Sequence, residues 1–219
     1  MRISAISDLH GLLPDPNDMG SGDLLLIGGD ICPVRDHSLH RQEVWVWDTF
    51  RPWLNTLNFR KIVGIGGNHD FIAQESPSVM YDLPWEYLCD ESVEFEGHVI
   101  HGTPWVPQFG PWAFMGEEDE IAPYFRKIPD ATTILLSHGP MAGKGGWTSR
   151  GVDAGSTSLR DRVEELPNLR FHAFGHIHEA FGDDERYPEG RPWVLHSNVS
   201  FVDLQYRPRP LVELRTFEF

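Results

Sequence analysis

The 219-residue sequence predicts an α/β fold, and three observations carry that expectation. Short continuous apolar runs recur along the chain, as the buried strands of largely parallel sheets do. Helix-length amphipathic stretches lie between some of them. Five of the runs stop abruptly at Asp, Asn or His, and the carboxyl ends of strands are where open α/β sheets place their chemistry. No Ser/Gly linker or charge block divides the chain, so one domain spanning 1–219 is expected.

Residues 2–7 form the first strand, which stops at Asp8-Leu9-His10-Gly11. The stretch 11–22 holds Pro14, Pro16, Asn17 and Asp18, which favour turns over a helix. A second strand, 23–27, ends in Gly28-Gly29-Asp30. Between His37 and Leu57, apolar residues at Leu39, Val44, Trp47, Phe50 and Leu54 approach the 3.6-residue period of a helix, which Pro52 should kink or end early. The third strand, 61–65, runs into Gly66-Gly67-Asn68-His69-Asp70.

Residues 91–101 read as a hairpin turning at Glu96-Gly97. Residues 103–115 are too rich in proline for a regular helix and form an aromatic loop with Trp105, Phe109, Trp112 and Phe114. A strand over 132–136 closes on Ser137-His138-Gly139-Pro140, and a Gly-rich loop follows over 141–156. A short helix, 158–166, is stopped by Pro167, and a strand over 169–174 runs into Gly175-His176-Ile177-His178. Two last strands are expected at 192–195 and 211–217.

Charge narrows the partners. The formal net charge is −15, with 33 acidic against 18 basic residues and no basic cluster, which disfavours an extended nucleic acid or an anionic membrane surface. Asp8 and His10 interrupt the segment where a signal peptide would need its apolar core, and no apolar run approaches the roughly 18 residues of a membrane span. Two cysteines, Cys32 and Cys89, make no disulfide framework, so a reducing, cytoplasmic setting is expected. The oligomeric state leaves no trace in the sequence.

Collected, the strand ends supply Asp8, His10, Asp30, Asn68, His69, His138, His176 and His178. Carboxylates, imidazoles and an amide oxygen form a mixed oxygen and nitrogen donor set suited to Mn, Fe, Zn or Co rather than to Ca or Mg. Asp8 and His10, like His176 and His178, skip one residue and so share a face in extended backbone. With four or five of the imidazoles counted, seven or eight donors are too many for one closed site and suit two divalent ions sharing a carboxylate. Such a centre is a local cation on an acidic protein, attractive to a small phosphate ester.

The blocks Asp8-Leu9-His10, Gly29-Asp30, Gly67-Asn68-His69-Asp70, Ser137-His138-Gly139 and Gly175-His176-Ile177-His178, in that order, resemble the signature of the calcineurin-like metallophosphoesterases. The resemblance implies a four-layer sandwich: two mixed β-sheets packed face to face, flanked by helices, with a dinuclear metal site at the strand carboxyl ends. It implies Asp8, His10, Asp30 and His178 around one ion, and Asp30, Asn68, His138 and His176 around the other, with Asp30 bridging and Mn favoured. It assigns His69 to catalysis, either as proton donor to the leaving-group oxygen or as a stabiliser of phosphoryl charge, with Asp70 orienting it.

A narrower resemblance, to the small metallophosphoesterase-domain proteins of animals and their bacterial relatives, runs from Val93-Glu94-Phe95 through His101-Gly102-Thr103-Pro104-Trp105 to Ser197-Asn198-Val199-Ser200. It implies hydrolysis of small phosphodiesters, cyclic nucleotides among them, by metal-bound hydroxide, and nucleotide binding. A phosphomonoesterase acting on proteins or metabolites, and a nucleotide-binding regulatory module with vestigial activity, are the rival readings. Trp105 is a candidate to stack on a nucleobase or to pack as a lid, and Asn198 to touch substrate or cap a turn. His37 and His40 are read as a solvated face, and Cys32 as a buried neutral thiol.

Overall fold

Alternation along the apolar strands sets the layering. The computed structural model describes residues 1–186, 192–210 and 215–218. In chain order, the first half forms β1 (Arg2–Ile6), α1 (Pro16–Met19), β2 (Ser21–Ile27), α2 (Leu39–Trp45), α3 (Arg51–Leu54), β3 (Asn58–Gly64), α4 (Phe71–Glu75), α5 (Ser78–Tyr81) and β4 (Glu86–Tyr87). The second half forms β5 (Glu91–Phe95), β6 (His98–Thr103), β7 (Val106–Pro107), β8 (Met115–Gly116), α6 (Glu118–Phe125) and β9 (Ile134–Ser137). It continues with α7 (Thr157–Glu165), β10 (Phe171–Phe174), β11 (Gly182–Arg186), β12 (Val194–Asn198) and β13 (Arg215–Glu218).

One sheet has the order β13-β1-β2-β3-β4 and is parallel except at β13. The other has the order β11-β12-β10-β9-β6-β5, with four parallel strands between the antiparallel edges β11 and β5. Leu24 and Leu26 of β2 face inward and meet Ile100, Leu136 and Ala173 of the second sheet. Their neighbours Leu25 and Ile27 face outward, under Val46, Phe50 and Trp53. Leu135 of β9 likewise packs outward, against Ile121, Phe125 and Leu159. A two-residue period thus gives each sheet two apolar faces, and four layers follow.

The sheets meet at one end. Ser7, just past β1, bridges in parallel to Ser200, just past β12; its N–H donates to the Val199 carbonyl at 3.0 Å, and its own carbonyl accepts from Phe201 at 2.7 Å. The carboxyl ends of β1, β2, β3, β9 and β10 are thereby gathered on one edge of the sandwich.

Several elements differ from the sequence-based expectations. The segment from Leu39 to Leu54 runs through Pro52 by way of a π-helical turn, Val46–Phe50. That turn bonds Arg51 N–H to the Val46 carbonyl, and the extra residue rotates the buried face to Gln42, Val46, Phe50 and Trp53. Leu39 and Val44 are left exposed. Helix α6 forms despite its internal Pro123, held at its start by a reciprocal Glu117–Glu120 capping box. The expected hairpin is present, with Glu96 and Gly97 both at positive φ as a two-residue hairpin turn of this type requires. Of the strand expected at 211–217, residues 211–214 lie outside the described residues.

Candidate metal centre

Each strand end delivers its polar residues through a tight loop. Asp8, His10, Asp30 and His176 all adopt positive φ, between 47° and 67°, which is uncommon for residues with a side chain and is strain the surrounding loops must hold. Backbone bonds do so: Asp8 N–H donates to Gly29 O at 3.0 Å, His10 N–H to Asp30 O at 2.8 Å, and Gly175 N–H to His138 O at 2.8 Å. Gly67 and Gly175 are required by close approach. A Cβ on Gly67 would overlap the Asp30 carboxylate and the His138 ring, and one on Gly175 would overlap Asp8 Oδ2 and Ser7 Oγ.

The side chains converge on two adjacent points. Around the first, His10 Nε2 and His178 Nε2 are 3.1 Å apart, and Asp8 Oδ1 lies 3.3 Å from His178 Nε2 and 3.9 Å from His10 Nε2. Around the second, His138 Nε2 lies 2.9 Å from Asn68 Oδ1 and 3.4 Å from Asp30 Oδ2. Asp30 Oδ2 is also 3.7 Å from His10 Nε2, so one carboxylate oxygen stands between the two sets. His138 Nδ1 donates to the Gly28 carbonyl at 2.9 Å, which turns its Nε2 inward. His176 lies beside this second set, its ring centroid 5.1 Å from that of His138, and its backbone N–H donates to Asp8. Among the described residues the tight groups that could hold a metal ion are Asp8–His10–His178, His10–Asp30–His69 and Asp8–Asp30–His138.

The electrostatics suit cations. Burial would raise the carboxyls of Asp8 and Asp30, but the imidazoles of His178 and His138 override it and hold both well below the usual carboxylate range. Burial lowers His138, yet Asp30 beside it carries its pKa up to about 9. His10 is pushed down to about 4 and His176 to about 3, both chiefly by burial. Buried carboxylates ringed by inward-facing imidazole nitrogens form a donor set that divalent ions would complete.

One expected role is corrected, and two residues left between alternatives, Trp105 and Asn198, take the packing and turn-capping ones. Asp70 does not touch the His69 imidazole. Its carboxylate accepts the backbone N–H groups of Ile31, Cys32 and Gly67 at 2.9–3.1 Å, locking the loop after β2 to the loop after β3. Burial beside Asp30 raises it to about 6. Trp105 does not reach the cavity: its Nε1–H donates to Asp90 at 2.8 Å, and its ring stacks on Tyr124 with centroids 4.1 Å apart. Asn198 is fully buried at the end of β12, donating to the Ile177 carbonyl and accepting from Ser200, so it braces the loop bearing His176 and His178.

The partner of His69 is His37, whose Nε2 lies 2.8 Å from His69 Nδ1, with Trp112 packed against both rings. Gln42 holds the same loop, donating to the His69 carbonyl and accepting from Ile72 N–H. Both stand on the segment leading into or forming α2. A buried-side glutamine on a helix was the available signal for Gln42, while His37 precedes the helix and carries no periodicity. Cys32 is buried, and burial next to Asp70 raises its thiol well above its ordinary value, as a neutral thiol requires.

Over these residues lies a cavity of about 500 Å³ whose walls include His37, His69, Phe109, Trp112 and Tyr206. A four-layer sandwich with buried Asp and His groups gathered under such a cavity defines a metal-dependent hydrolase architecture. The chain belongs to the calcineurin-like phosphoesterase family, whose profile matches residues 1–180, and its class is therefore that of metal-dependent phosphoester hydrolases. It is 29% identical over 238 residues to human "Metallophosphoesterase domain-containing protein 1", covering 96% of this chain and 70% of that one. It is 27% identical over 216 residues to "UPF0046 protein T07D4.2" of Caenorhabditis elegans, covering 83% of this chain and 52% of that protein.

Two solved structures share the fold. The NAD nucleotidase of Haemophilus influenzae superposes with a TM-score of 0.53 at 15% identity, over 90% of this chain and 44% of that one. A dimetal phosphatase from Danio rerio gives 0.50 at 9% identity, over 91% and 88%. No helix among the described residues is long and apolar enough to cross a membrane.

Proposed function

We propose that the chain is a dinuclear phosphodiesterase acting on small diesters, cyclic nucleotides among its candidate substrates, as one catalytic unit in the cytoplasm. The observation that carries this reading is the Asp30 carboxylate standing between the His10 and His138 nitrogens, a bridging position between two ligand sets. Asp8, His10, Asp30 and His178 would hold one ion; Asp30, Asn68, His138 and His176 would hold the other, with Mn favoured over Fe, Zn or Co. When bound, two divalent ions neutralise phosphate charge and bring the pKa of water to about 7.

The chain's own groups supply the rest. Burial lowers the pKa of His69, which keeps its ring neutral at pH 7. We assign the shared proton of the 2.8 Å pair to His37 Nε2, which puts the proton of His69 on its own Nε2, the atom left to face a phosphate ester in the cavity. His69 then donates a hydrogen bond to the leaving-group or phosphoryl oxygen as charge develops there. Trp112 walls this position and keeps bulk water from the His37–His69 pair.

The test is purification with Mn²⁺ followed by assay of bis(4-nitrophenyl) phosphate beside 4-nitrophenyl phosphate. Turnover of the diester above the monoester supports the reading. Preference for the monoester overturns the diesterase assignment, and no turnover of either with metal bound overturns the enzyme.

A further inference from the structure

The cavity over the metal ligands is open on one side. Its wall of Phe109, His176, Glu179 and Leu204 is shared with a second cleft of about 680 Å³, bounded by the loops 107–109 and 148–154. Large apolar side chains stand exposed around this cleft: Phe109 at 61%, Val152 at 59% and Leu204 at 49%. Single exposed apolar side chains are ordinary on a protein surface, but a group of them around the mouth of a polar site marks a binding surface.

The loop over the cleft is braced. Thr148 and Val152 bond across it, Trp147 bridges to Asp153, and the Ser149 N–H donates at 2.9 Å to Glu179, beside His178. Glu179 is thus committed to the loop. Arg150 is the one Lys or Arg side chain lining either space, and among the described residues it forms no ion pair. A free cation in the cleft that adjoins the cavity, on a chain with net charge −15, is placed to meet an anion.

We infer that this cleft is the subsite for one ester substituent of a phosphodiester whose phosphorus lies over the metal ligands, and that the substituent it takes is planar, apolar and anionic. The inference rests on the proposed phosphodiesterase reading. A monoester carries one substituent and a diester two, and two spaces sharing the His176 wall give each arm its own place. Phe109 and Val152 cover the ring, and Arg150 meets its charge. An open-chain diester fills both spaces, whereas a cyclic one fills only the first.

The test keeps the leaving group constant and varies the other arm: methyl, phenyl and 4-carboxyphenyl 4-nitrophenyl phosphate. In each, a water oxygen bonds to phosphorus as the bond from phosphorus to the nitrophenyl oxygen breaks, releasing 4-nitrophenolate and leaving the monoester of the variable arm. We expect kcat/KM to rise at least about tenfold from methyl to phenyl, the scale of one apolar group in a pocket, and further with the carboxylate. Arg150→Gln should remove the carboxylate's advantage, roughly two- to fivefold, and change the methyl and phenyl diesters by a smaller, equal factor. Val152→Asp should lower the phenyl and carboxyphenyl rates alone. Turnover of the methyl diester with no preference among the three arms, or with a preference indifferent to both substitutions, overturns the subsite and leaves the phosphodiesterase standing. No turnover of any of the three overturns the phosphodiesterase and the subsite with it.

Discussion

Removing metal should leave a protein whose stability falls as pH rises from 7 to 9. The cause is His138, buried between Asp30 and Asp8, whose pKa stands at about 9 against an ordinary 6.5. A raised histidine stabilises the fold in full below its unfolded pKa, and that stabilisation is lost as pH climbs through the folded value. Integrated between pH 7 and 9, a shift of this size removes roughly 2 kcal/mol, or about 4–8 °C in Tm for a chain of this length. His178, raised as well once Asp8 outweighs its burial, acts in the same direction. The groups that oppose it, His10 and His176, titrate below pH 6.5, and Asp70, raised by burial, acts in the same direction as His138 but only below about pH 6. The assay is thermal melting in EDTA at half-unit intervals of pH, with His138→Gln as the variant in which the slope should shrink. A flat or rising Tm over this window in the metal-free wild type would refute the reasoning, and with saturating Mn²⁺ the decline should disappear, since ligation replaces the proton.

Other outcomes follow from the same geometry. His69→Ala should retain metal and lower kcat for diesters by about 10²–10³, the range for one lost hydrogen-bond donor to the developing charge, read by metal analysis beside steady-state kinetics. His37→Ala should lower kcat by about tenfold, the scale of one hydrogen bond, with little change in KM, and His37→Gln, which restores a donor, should recover part of it. Gly175→Ala should cost about 1–3 kcal/mol in denaturant unfolding, because the new methyl displaces Asp8, and should weaken binding of the ion Asp8 would hold.

The strand ends were legible because apolar runs such as Leu24-Leu25-Leu26-Ile27 stop at a polar residue, and a parallel strand buried on both faces has no other pattern. Elements held by tertiary contacts were not. β11 reads Gly-Asp-Asp-Glu-Arg, an acidic edge strand with no apolar signal. α4 and α5 are too short for a period, and the π-helical turn before Pro52 shifts a face that a uniform 3.6 period assigns to Leu39 and Val44. Within the site, adjacency misled: Asp70 follows His69 in sequence, yet its carboxylate turns to backbone N–H groups, while the true neighbour of His69 comes from 32 residues earlier. Trp105 is aromatic in an aromatic loop, and only its bond to Asp90 separates it from Phe109 and Trp112, which do reach the cavity.

The central claim, two ions sharing Asp30, is tested most directly by titrating the metal-free chain with Mn²⁺ and following both bound metal and turnover of bis(4-nitrophenyl) phosphate. Two ions per chain are expected, with activity appearing as the second binds, and Asn68→Ala should stop near one ion and stay inactive. Full activity at one ion per chain, or none at two, would contradict it.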